Sequence, residues 1–185
     1  MTASPDRYLS TRGDAAPTSF ADALLRGIAP DGGLYMPQAW PTLPADAARP
    51  GRTYAEMARE AISPFIGDAL PANSSGESAL DRALDRLTRG FDHPAVTPLV
   101  ELEPGLFVLE LFHGPTAAFK DLAMQLVAAL SDEAMAATGQ KLTLLTATSG
   151  DTGAAAVRAF AGAERINLVV LHPLDRVSPV QRKQM

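Results

Sequence analysis

"KLTLLTATSGDTGAAAVRAFAGAERINLVVL", residues 141–171, decides the fold class, because it reads as strand, glycine-bearing turn, helix and strand in succession. Residues 141–147 are a strand-length apolar run, residues 153–162 a helix of small residues, and INLVVLHP (166–173) a second strand. Two strands joined through a helix lie parallel, since a tight turn cannot connect parallel neighbours. The unbroken apolar character of the second strand predicts cover on both faces. Working outward, LFVLELF (106–112) predicts one more strand and residues 117–137 a helix between it and residue 141. The order β-α-β-α-β predicts an α/β fold with an open, doubly wound parallel sheet.

Further towards the N-terminus the pattern is helical punctuation. A short helix is expected over residues 17–28, capped by Thr18 or Ser19 and closed by Gly27. Tyr54, Met57, Ala58, Ala61 and Ile62 mark a second helix, expected to break at Pro64, and residues 78–89 a third after the polar loop PANSSGES (71–78). The change of pattern near residue 92 predicts a small, mainly helical domain over 1–92 and an α/β domain over 93–185.

Composition narrows the partners. The 185 residues carry 46% hydrophobic and 20% charged residues with a net charge of -5, which argues against a nucleic-acid or anionic-membrane surface. Apolar runs stay far below the roughly 20 residues a spanning helix needs. The charged N-terminus lacks an apolar signal core and the chain has no cysteine, so a cytoplasmic protein without disulfide or thiolate chemistry is expected. His93, His113 and His172 are scattered and no metal site is expected.

Ligands of open parallel sheets bind beyond the carboxyl ends of the strands, which points to the loops HGPTAAFKD (113–121) and TSGDTG (148–153). Neither matches a Walker or dinucleotide glycine pattern, and Ser149 lacks the G-x-S-x-G context of a serine hydrolase. The second loop combines Gly150 and Gly153 with hydroxyls at Thr148, Ser149 and Thr152 at a helix start, a composition that suits a carboxylate or phosphate and equally suits a plain helix cap. In the first loop, Phe119, Leu122, Ala123, Leu126, Val127 and Leu130 predict the buried stripe of the helix, with Lys120 beside it. Desolvation and the positive helix end both disfavour an ammonium there, as a lysine that forms a Schiff base requires. A solvated surface lysine paired with Asp121 is the competing reading.

HGPTAAFKD together with TATSGDTG resembles the threonine synthase family, pyridoxal-phosphate enzymes of fold type II, the tryptophan-synthase-β-like fold. YLSTRG (8–13), the segment from Phe20 through GIAPDGGLYMP (20–37) and RVSPVQRKQM (176–185) extend the resemblance along nearly the whole chain. The resemblance implies that Lys120 holds pyridoxal 5'-phosphate as a Schiff base and that Asp151 lies near the cofactor's ring. It further implies that Thr148, Ser149, Gly150, Thr152 and Gly153 embrace the carboxylate of the substrate. The implied reaction is conversion of O-phospho-L-homoserine and water to L-threonine and phosphate. Tyr8, Arg12 and the DGGLY turn read as packing the small domain against the large one, and His113 as a residue that shapes its turn. Relatives carry, further along, a loop for the cofactor phosphate and a partner for the pyridine nitrogen, which implies a truncated chain with little activity of its own. A related phospho-lyase or serine/threonine dehydratase, or a non-catalytic anion-binding module, remains open on the same residues.

Overall fold

The computed structural model describes residues 7–47, 49–148 and 150–185, which form an α/β fold. The chain divides into two compact units, Met1–Arg82 and Ala83–Met185.

In the first unit, β1 (Tyr8–Ser10) pairs antiparallel with β2 (Tyr35–Pro37). Helix α1 (Phe20–Arg26) starts where Ser19 accepts a hydrogen bond from the Asp22 amide and closes on Gly27 at φ 70°, a conformation that favours glycine. Helix α2 (Tyr54–Ile66) opens with a reciprocal capping box between Thr53 and Glu56. The break expected at Pro64 does not occur. Proline there removes only the donor to the Glu60 carbonyl, and the helix runs on until the Gly67 amide closes it on the Ser63 carbonyl at 3.0 Å.

The DGGLY turn is fastened to β1 through Asp31. Its Oδ1 accepts from the Ser10 hydroxyl at 2.6 Å and the Gly33 amide at 2.9 Å, and its Oδ2 from the Asp14 and Ala15 amides at 3.1 and 3.0 Å. The Ser10 hydroxyl and then the Gly33 amide hold this carboxyl below its ordinary range. A side chain at Gly33 would collide with Ser10 Oγ. Arg12 Nη1 donates to the Asp31 carbonyl at 3.0 Å, and the Tyr8 hydroxyl to the Phe65 carbonyl at 2.8 Å, both bonds lying inside the unit.

Helix α3 (Ala79–Arg89) buries Leu80, Ala83, Leu84 and Leu87, the i, i+3, i+4, i+7 spacing of a one-faced helix. The division between the units falls within it.

In the second unit, β3 (Leu99–Glu103) and β4 (Leu106–Leu109) form an antiparallel hairpin. This corrects the expectation of 106–112 as the first parallel strand of the sheet. Pro104 and Gly105, the latter at φ 82°, leave a two-residue turn, too short for anything but antiparallel pairing with the preceding strand. Helix α4 (Lys120–Thr138), β5 (Leu142–Ala147), α5 (Asp151–Phe160) and β6 (Ile166–Leu171) follow, and β5 and β6 run parallel in continuous register from Leu142↔Ile166 to Ala147↔Leu171. Helix α6 (Pro179–Gln184) begins with Ser178 as cap and Pro179 in its first turn. Among the described residues no helix is long and apolar enough to cross a membrane.

Two burial expectations fail. Of the predicted α4 stripe only Leu130 is buried, and Phe119 is 60% exposed. The buried face carries Ala128, Ala129 and Ala134, and α4 packs on α5, whose Ala154, Ala155, Ala156 and Ala159 are buried. Small residues let two helices approach closely, so size chose the face where hydrophobicity suggested another. In β6, Val169 and Leu171 are exposed, because α5 covers this strand from one side and nothing among the described residues covers the other.

Candidate functional site

The site is built where α4 and α5 begin. Helix α5 starts at Asp151, two residues earlier than the sequence suggests, so Asp151, Thr152 and Gly153 form its first turn. Its N-cap, Gly150, has no side chain, and the cap is supplied from upstream: Thr148 Oγ1 accepts from the Gly150 amide at 3.2 Å and the Gly153 amide at 3.1 Å. Thr148 therefore shapes the turn with the oxygen that the sequence reading aimed at a ligand. The amides of Asp151 and Thr152 donate to no acceptor among the described residues and sit at the positive end of the helix. Ser149 lies outside the described residues.

The α4 loop is held by a buried acid. Asp121 is fully buried and its carboxylate accepts from the Thr116 amide and the Thr116 hydroxyl, each at 2.8 Å. This overturns the reading of Asp121 as an exposed partner of Lys120. A negative charge in the first turn suits the helix end, and the two Thr116 bonds replace the water it has lost. Gly114 is required beside it, since a Cβ there would stand 2.5 Å from Asp121 Oδ2. Ala117 adopts φ 56°, a left-handed conformation that ends the loop before α4 begins.

Held this way, Lys120 projects from the first residue of α4 with its side chain 29% exposed, and its Nζ lies 3.7 Å from Asp151 Oδ2. The two loops singled out by the sequence therefore meet. The Asp151 carboxylate and the Phe119 ring, whose centroid is 4.6 Å from Nζ, both attract an ammonium and oppose the positive helix end. His113 turns inward on its own loop, with Nε2 2.7 Å from Glu110 Oε2 and its carbonyl accepting from the Asp92 amide at 2.9 Å, as a turn-shaping residue would.

Two site residues escaped the sequence reading. Gln181 Nε2 donates to Asp151 Oδ1 at 2.6 Å and Gln184 Nε2 to the Thr116 carbonyl at 3.3 Å, so α6 touches both loops. Their spacing of three places them on one helix face, a signal that acquires meaning only once α6 is known to lie against the loops. Among the described residues no cluster of acids and histidines could hold a metal. The assembly offers one partly shielded amine, two amides at a helix start that lack an acceptor among the described residues, and an acid that pairs with the amine, a donor set suited to a carbonyl compound bearing a negative charge.

Residues 7–78 match the family model described as threonine synthase N terminus. A threonine synthase from Pseudomonas aeruginosa is 43% identical over 181 residues, covering 97% of this chain and 38% of the relative. One from Schizosaccharomyces pombe is 42% identical, covering 96% of this chain and 36% of the relative. Among solved structures, a PLP-bound threonine synthase from Brucella melitensis superposes with a TM-score of 0.87 at 47% identity over 97% of this chain and 38% of that one. The chain thus spans little more than a third of the length of these relatives.

Proposed function

The chain belongs to the threonine synthase family, matching its N-terminal portion, and on that premise we propose that the protein converts O-phospho-L-homoserine and water to L-threonine and phosphate with pyridoxal 5'-phosphate. The observation that carries the proposal is the approach of Lys120 Nζ to Asp151 at the adjoining starts of α4 and α5. Residues 1–92 would serve as the N-terminal domain and 93–185 as part of the cofactor domain, in a cytoplasmic enzyme.

The residues present fit the cofactor. Lys120 supplies the amine that would hold it, its side chain 29% exposed and so open to a ligand. Pyridoxal phosphate, when bound, supplies an electron sink for charge that develops on the substrate carbons. The amides of Asp151 and Thr152 would bind the substrate carboxylate together with Ser149, on a turn whose glycines at 150 and 153 have their amides tied to Thr148 Oγ1. Lys120 Nζ would take and return protons at the substrate's α and β carbons, and Asp151, 3.7 Å away, would keep the amine oriented between transfers.

The test uses the full-length gene product. It is incubated with pyridoxal phosphate, reduced with borohydride and digested, and the modified peptide is mapped. A label on Lys120 is expected, with threonine and phosphate formed from O-phospho-L-homoserine. No label on folded protein would overturn the cofactor assignment. A label with oxoacid and ammonia as products would instead identify a dehydratase or phospho-lyase.

A further inference from the structure

Away from the Lys120 site, the second unit contains a pocket of about 370 Å³ lined by Arg86, Arg89 and Gly90 of the α3 end, Pro115, Gln125 of α4 and Arg158 of α5. Part of this charge is already used. Arg86 Nη2 donates to the Ala159 carbonyl at 3.3 Å, which caps the end of α5, and its Nη1 lies 3.9 Å from Asp132 Oδ2. Arg89 pairs with Asp85 at 2.9 Å across one turn of α3, with both side chains more than half exposed. Three guanidinium groups thus stand against two carboxylates, and Arg158 has no ion-pair partner among the described residues.

The capping role of Arg86 does not account for Gln125. This residue is 9% exposed, lines the pocket and makes no side-chain hydrogen bond among the described residues. Its amide atoms are not sealed from solvent, so the head of this otherwise buried side chain opens into the pocket, where water or a ligand supplies its partners. Its NH2 group can donate to an oxyanion alongside Arg158, while Arg89 can turn from its exposed pair with Asp85. The planar forks of arginine match the oxygens of a tetrahedral phosphate better than a single carboxylate would fill them.

We propose that this pocket binds a small phosphate-bearing anion, at a site separate from Lys120. The proposal stands independently of the catalytic reading. The probe is inorganic phosphate, titrated into the protein at constant ionic strength while the Gln125 side-chain amide and arginine Nε–H signals are followed by NMR. Saturable shifts are expected, with affinity reduced about tenfold or more by Arg158→Ala and by Gln125→Met. Arg158 is exposed, so its alanine variant tests the site without disturbing the core. Lys120→Ala should leave the affinity unchanged. Absence of saturation, equal affinity for acetate, insensitivity to Arg158→Ala, or loss of binding in Lys120→Ala would each overturn the proposal; the last would place the phosphate at the other site.

Discussion

Replacing Asp121 by alanine should weaken the fold and loosen Lys120 together. The carboxylate is fully buried and accepts two bonds of 2.8 Å from Thr116, itself 8% exposed. Removing it strands a buried amide and a buried hydroxyl, each about 1–3 kcal/mol. It also deletes the first-turn charge, about 0.3–1 kcal/mol. Because the hydroxyl can rotate, the expected loss is about 3–4 kcal/mol. Asp121→Asn keeps the shape and one acceptor for the Thr116 amide and should lose about half as much. Urea unfolding of both variants gives the stabilities, and trapping of pyridoxal phosphate on Lys120 by borohydride reports the loop. A loss below about 1 kcal/mol for the alanine variant, or asparagine as damaging as alanine, would refute the claim that this carboxylate clasps the loop.

Ala117→Gly relieves a left-handed residue at an exposed position and should stabilise by about 0.5–1 kcal/mol after the extra freedom of the unfolded chain is subtracted, measured by the same unfolding curves. Gly153→Ala should destabilise by about 1–3 kcal/mol, because the added Cβ meets Thr148 Cγ2 and Met185 Sδ on a packed face, and thermal unfolding will show it. Thr53→Ala removes the α2 cap and should lower stability by about 1 kcal/mol in a denaturant titration. The Asp31 carboxyl is held below its ordinary range in the folded protein, so its contribution is present above the unfolded value and disappears as pH falls below about 4. Stability measured from pH 7 down to 3 should therefore fall less steeply in Asp31→Asn, and an unchanged slope would remove Asp31 from the acid response.

The sequence alone determined what is decided within a few residues: the Ser19 cap, the Gly27 closure, the apolar runs of β5 and β6 and the α5 between them. It also identified the two loops, since glycine, hydroxyl and lysine content at strand ends is written locally. Tertiary structure decided the rest. That β4 pairs back on β3 depended on the competition between a two-residue turn and a distant sheet, and that α4 buries its alanines and Asp121 depended on the small residues of α5 across from it. The meeting of Lys120 with Asp151, and of Gln181 with that same acid, joins residues about thirty positions apart. Such contacts arise from the packing of whole elements, whose relative placement is a sum over many side chains and leaves no signature at any one of them.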